Sequence, residues 1–235
     1  MPETQACIPY PDITALGHDL RYLKESLLLR RKIKIVAIGS SSVAGEGDIL
    51  PFPPRLELAL RTRYPDRMID VVNRGIGGQE APEEAARFES DVIAEAPVLV
   101  IWQVGSNAIF HRDLYDPGRV AGTIAAALGW LKSLQLDIIL MDLQYAPALL
   151  GPKEHDARLM VSLIERVART ANVNLFRRFA LMEHWVKNDG IDQSKLIGPD
   201  GLHQTEFATN CVTLALDAAI GAMIGPVPGA PAPTV

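Results

Sequence analysis

The chain has 235 residues, 48% of them hydrophobic and 22% charged, with a net charge of −5, which is the composition of one sizeable globular domain with a real core. No Lys/Arg cluster breaks the acidic balance, which argues against nucleic acid and anionic membrane surfaces as partners. No apolar stretch reads as long and uncharged enough to span a bilayer.

The first residues, Met1-Pro2-Glu3-Thr4-Gln5-Ala6-Cys7, lack the apolar centre of a leader peptide. The chain is then either cytoplasmic or has lost a leader, and the expectation leans to the second, a periplasmic or secreted protein. Two cysteines, Cys7 and Cys211, are too few for a disulfide scaffold. They can form one bridge or remain two free thiols, and spacing does not choose between these. Leu16, Leu20, Leu23 and Leu27 recur at helical spacing and mark a helix before the first strand. Residues 1–32 are therefore expected to be an arm and helix packed on a main domain, 33–224.

Strand-like runs follow at 34–39, 69–73, 98–104, 138–143 and 173–176. They are short, rich in Val, Ile and Leu, and mostly apolar on both faces, as buried parallel strands are. Helical spacing lies between them, at Val120, Ile124, Leu128 and Leu131, and at Met160, Leu163, Ile164, Val167 and Ala168. The late apolar stretch from Val212 to Val227 carries Asp217 and reads as a packed helix. The Pro-rich end, 225–235, is expected to be a flexible tail. Alternating strands and helices predict an α/β fold, a parallel sheet covered on both faces with right-handed crossovers.

In such sheets ligands bind at the carboxyl ends of the strands. Gly39-Ser40-Ser41-Ser42 follows the first run, Asn73-Arg74-Gly75-Ile76-Gly77-Gly78 the second, and Gly105-Ser106-Asn107 the third. Far downstream comes Asp200-Gly201-Leu202-His203. Ester hydrolysis needs a nucleophile, a base, a group to orient the base, and donors for the oxyanion. Ser41 on a tight strand-to-helix turn can be the first and His203 the second, because imidazole suits proton shuttling. Asp200 can hold the other ring nitrogen. Gly77 or Gly78 offers a backbone N–H without a Cβ in the way, and Asn107 offers an amide. Losing one such donor costs about 3–4 kcal/mol of transition-state stabilisation.

Together the four blocks resemble the SGNH hydrolases, also called the GDSL family. Its members carry a Gly-Asp-Ser-Leu-like turn, an oxyanion glycine, a Gly-x-Asn-Asp-like loop and a late Asp-x-x-His. The resemblance spans Gly39 to His203. It implies a three-layer α/β/α, flavodoxin-like sandwich, with Ser41 as nucleophile, His203 as base and Asp200 orienting it. It also implies oxyanion donors from the Ser41 and Gly78 N–H groups and the Asn107 amide. Ser40 stands where the family usually has Asp, Ser42 where it has Leu, and Ala108 where a second acid is usual.

Each block has a plainer reading. A Ser-rich turn is commonly a helix cap, Asp-Gly a common turn, and His203 can start the last helix. His111 follows the Asn107 loop, and Gln144 and Tyr145 end the fourth strand, so with Ser40 these are candidate substrate-lining residues, with surface or capping roles as the alternatives. His18, His155 and His184 read as solvent-facing, and Trp102, Trp130 and Trp185 as core. No metal-ligand spacing and no dinucleotide or phosphate-loop fingerprint is present, so no cofactor is expected. The favoured function is a serine esterase acting on a small ester or acylated carbohydrate, with a short acyl group such as acetyl, since no lid-like apolar insertion is visible. Aromatic content of 6% weighs against a long sugar-stacking groove. The rivals are an acyltransferase using the same residues and a non-catalytic binding module on the same fold.

Overall fold

The computed structural model describes residues 7–29 and 32–225. The helices α1 (Pro11–Thr14) and α2 (Arg21–Leu28) precede β1 (Ile33–Gly39), α3 (Ser41–Ala44), α4 (Phe52–Arg63) and β2 (Ile69–Gly75). Next come α5 (Ala81–Ala86), α6 (Phe88–Asp91), β3 (Leu99–Gln103), α7 (Ser106–Phe110), α8 (Pro117–Leu131) and β4 (Asp137–Met141). The chain ends with α9 (Glu154–Ala171), β5 (Asn174–Phe176), α10 (Arg178–Lys187), α11 (Gln193–Leu196) and α12 (Glu206–Ile224). The five strands are all parallel and lie in the order β2-β1-β3-β4-β5. This is a flavodoxin-like three-layer sandwich. The step from β1 to β2 runs one way across the sheet and every later step runs the other. Right-handed crossovers therefore put α4 on one face and α5, α8 and α9 on the other. In keeping with this, α4 packs on α12, while α8 packs between α5 and α9.

Every residue of β3 and β4 is buried, as expected of central strands sandwiched between helices. Helix α9 faces the sheet with Ala157, Met160, Ile164 and Ala168, a spacing of three and four that makes one stripe. Helix α12 is long and apolar enough to cross a membrane by length and composition alone, contrary to the sequence reading, yet 61% of its most apolar window is buried inside the fold. Its Asp217 pairs with Arg63 of α4, which fixes it as a packed helix.

The first helix begins later than the leucine spacing implies. Leu16 and Leu20 are buried but lie outside α2. The Asn174 side chain accepts from the His18 N–H at 2.8 Å and donates to the His18 carbonyl at 2.9 Å, which holds that stretch as a bend. Asp137 at the start of β4 then accepts the Leu23 N–H at 2.8 Å. Further upstream, Cys7 and Cys211 form a disulfide, with Cα atoms 5.4 Å apart. Trp185 Nε1 donates to the Ile8 carbonyl at 2.9 Å, and the Tyr10 hydroxyl to Asp189 at 2.5 Å. His184 is half-buried against the Tyr10 ring rather than solvent-facing. Trp102 and Trp185 are core, but Trp130 is 43% exposed on the outer side of α8, stacked on Phe88. The tail predicted at 225–235 lies, beyond Gly225, outside the described residues.

Candidate active site

The order of the sheet reverses between β1 and β3, and a crevice opens at their carboxyl ends. Gly39 ends β1 beside Gly75, the end of β2. A Cβ on Gly39 would stand 2.7 Å from Val43 Cγ2 and 2.9 Å from Gln103 Oε1. A Cβ on Gly75 would stand 2.1 Å from the backbone nitrogen of Ala44. Only glycines at these two strand ends let α3 lie directly on the sheet. Ser40 is the residue before α3 and is buried, its N–H and its Oγ donating to Gln103 Oε1 at 3.1 and 2.9 Å. Ser41, half-buried, opens α3, where backbone N–H groups have no partner within the helix.

Ser41 Oγ lies 2.9 Å from His203 Nε2, although the two residues are 162 positions apart. His203 Nδ1 lies 2.5 Å from Asp200 Oδ2. The Asp200-to-His203 block is the tip of a small hairpin closed by the Ile197–Gln204 bridge, and α12 starts only at Glu206. Gly201 takes φ +72°, a left-handed turn that glycine adopts without penalty. The other oxygen of Asp200 accepts the Leu202 and His203 N–H groups at 2.9 and 3.0 Å. Burial pushes the Asp200 carboxyl upward, but these backbone bonds and the His203 ring outweigh it and hold it below the usual range. A hydroxyl on an imidazole that a carboxylate holds from behind is the arrangement acyl-transfer chemistry uses.

On the other side of Ser41 runs the exposed loop after β2. The α-carbon of Gly77 faces Ser41, since a Cβ there would lie 3.9 Å from Ser41 Cβ. Gly78 takes φ +81°. Asn107 in α7 donates from Nδ2 to the Gln79 carbonyl at 2.8 Å, which ties α7 to this loop and uses one of its two amide hydrogens. The cleft beside Ser41 and His203 is walled by Gly45, Glu46, Ile49, Pro51 and Thr209 and has a volume of about 20 Å³. Glu46 stands at its mouth, a carboxylate oxygen 3.9 Å from His203 Nε2.

Of the four candidate lining residues, none walls this cleft. Ser40 turns inward to Gln103. Gln144 is buried and bonds Ser106, Leu202 and Arg178. Tyr145 is buried with its ring edge against Phe179. His111 ends α7, half-buried against the edge of Phe110. Sequence reasoning passed over Glu80 and Gln103. The buried carboxylate of Glu80 accepts the N–H groups of Ala81, Gly105 and Ala108 at 3.0, 2.9 and 2.8 Å, fixing the start of α7. Its signal was the Glu80-Ala81-Pro82-Glu83 pattern of a helix capping box. The signal for Gln103 was one amide in an otherwise apolar strand.

An acetylxylan esterase from Geobacillus stearothermophilus is 40% identical over 57 residues, 24% of this chain; the match spans 25% of that enzyme's length. The solved structure of Axe2, an acetylxylan esterase from the same organism, superposes with TM-score 0.69 at 21% identity, over 84% of this chain and 96% of that one. Solved forms of that enzyme include catalytic mutants in which a serine, an aspartate or a histidine is replaced by alanine. An α/β hydrolase enzyme from the metagenome of Lake Arreo, Spain, superposes with TM-score 0.70 at 20% identity, over 84% and 99% of the two chains. The family model described as the non-GDSL lipase-like family matches residues 6–226, nearly the whole sequence, and the chain belongs to that family.

Proposed function

We propose that the protein is a serine esterase that removes short acyl groups, acetyl foremost, from acylated carbohydrates. The observation that carries the reading is the unbroken series from Ser41 Oγ through the His203 ring to Asp200. With Nδ1–H donated to the ionised Asp200, the Nε2 lone pair faces the Ser41 hydroxyl. Ser41 Oγ attacks the ester carbonyl as its proton passes to Nε2. The carbonyl oxygen becomes an oxyanion, held by the Ser41 and Gly78 N–H groups and the free hydrogen of the Asn107 amide. The imidazolium returns the proton to the departing sugar oxygen, leaving an acyl-Ser41. Water, deprotonated by Nε2, then attacks the acyl carbon. Collapse releases the carboxylic acid and restores the hydroxyl.

A short acyl group is favoured because the sequence carries no lid-like apolar insertion to shelter a long chain, and the cleft that Ser41 and His203 line is small, about 20 Å³. The acetylxylan esterases among the relatives support a carbohydrate acetyl ester as substrate. The test is turnover of p-nitrophenyl acetate and decanoate, with fluorophosphonate labelling, on wild type and Ser41→Ala. The acetate should be the better substrate, and Ser41→Ala should lose about 10,000-fold in kcat and all labelling. Equal labelling of the two proteins would sink the reading. A product that appears only when a sugar acceptor is added would replace hydrolysis by acyl transfer.

A further inference from the structure

We propose that a buried hydrogen-bond series, Ser40–Gln103–Ser106–Gln144, fixes Ser41 relative to His203, with Gln103 and Gln144 as positioning residues. The inference rests on the esterase reading and concerns groups that its chemical steps do not touch. Ser40 Oγ donates to Gln103 Oε1 at 2.9 Å, and Gln103 Nε2 donates to Ser106 Oγ at 3.3 Å. Ser106 Oγ donates to Gln144 Oε1 at 2.7 Å, and Gln144 Nε2 donates to the Leu202 carbonyl at 3.2 Å. The series begins at the residue before Ser41 and ends at the residue before His203. Arg178 adds a branch, donating to Gln144 Oε1 at 2.9 Å and to Gln204 at 3.5 Å, so the residue after His203 is held as well.

The direction of the series is dictated by groups that cannot reverse. The Ser40 N–H can only donate, so the atom of Gln103 it meets at 3.1 Å is the oxygen. The Arg178 guanidinium can only donate and the Leu202 carbonyl can only accept, which fixes the Gln144 amide the same way. With both amides fixed, Ser106 has one arrangement left: it accepts from Gln103 and donates to Gln144. Each of the four side chains is 3% exposed or less, so water cannot substitute for a lost link. The series crosses the ends of β1, β3 and β4, three separately folded segments that must agree if Oγ is to meet Nε2. The inward-turned hydroxyl of Ser40 thus anchors the nucleophile turn from below, at the position where the SGNH turn usually carries an acid.

The test uses Gln103→Met, Gln144→Met and the double variant, with thermal melting to confirm folding and kcat and KM for p-nitrophenyl acetate. Each single variant should lose about 10–100-fold in kcat, with KM changed less than about three-fold, because a displaced nucleophile slows the chemical step rather than binding. The double variant should lose little more than the worse single, since one broken link already breaks the series. Ser106→Ala, which removes one oxygen from the middle, serves if a methionine variant does not fold and should lose about 10-fold in kcat. Folded variants with kcat within three-fold of wild type overturn the proposal, as does a loss carried by KM or a fully additive double variant. A wild type that neither turns over ester nor labels defeats the esterase reading and this inference with it. An active wild type whose variants keep kcat defeats this inference alone.

Discussion

At Gly75 one methyl group decides how Ser41 is presented. The atoms an added Cβ would meet are backbone: Ala44 N at 2.1 Å, and Ala44 Cα and Val43 C at 2.6 Å. No rotamer change relieves such contacts, so α3 would have to lift from the sheet and carry Ser41 away from His203. Gly75→Ala should therefore lower ester turnover by about 100-fold or more, the cost of a displacement near 1 Å, and destabilise by about 1–3 kcal/mol. Turnover and urea melting measure the two, and wild-type turnover would show that α3 tolerates the shift. This requirement was not legible in the sequence. Ser41 could be singled out by its place after Gly39, because a strand-end turn is a local pattern. The need for Gly75 arises from two backbone segments meeting across 31 positions, as Ala44 settles on the end of β2.

At the scale of elements, the apolar runs located all five strands, because the inner strands β1, β3 and β4 leave a nearly unbroken hydrophobic signature and the edge strands β2 and β5 keep a shorter one. Their polar exceptions were harder to interpret. Gln103 looks like a misplaced polar residue until the sheet brings Ser40, just past the end of β1, beside it. Glu80 caps α5 and also collects N–H groups from the start of α7, so it ties the end of the loop that carries Gly78 to the helix that carries Asn107. Burial pushes its carboxyl up, while the bonds from Gly105, Ala108 and Ala81 pull the other way. An amide at this position has only one accepting oxygen, so one flank would set N–H against N–H. Glu80→Gln should destabilise by about 1–3 kcal/mol and slow ester turnover by about 10-fold as Asn107 shifts. Chemical denaturation paired with kcat reads both effects, and a variant unchanged in each would remove Glu80 from the architecture of the site.

For the molecule as a whole, the segment before β1 is more integrated than its sequence suggested. Its leucine spacing showed apolar burial but not what ties it down, because those ties are individual bonds to residues more than about 100 positions away. Asn174 clamps His18, Asp189 takes the Tyr10 hydroxyl, Trp185 bonds the Ile8 carbonyl, and Cys211 closes the disulfide with Cys7. The disulfide spans a sequence separation of 204, so it removes a large amount of freedom from the unfolded chain. Cys211 lies in α12 two residues beyond Thr209, which walls the cleft, but none of the hydrogen bonds among Ser41, His203 and Asp200 passes through the arm. Reduction, or the Cys7→Ser and Cys211→Ala pair, should therefore lower stability by about 2–5 kcal/mol. Turnover well below the melting temperature should stay within about two-fold, because the noncovalent contacts keep the arm docked on α10. An unchanged melting midpoint would mean that those contacts alone hold the arm. Lost turnover in a folded, reduced protein would mean that the disulfide reaches the site through α12, with Thr209 the first residue to examine.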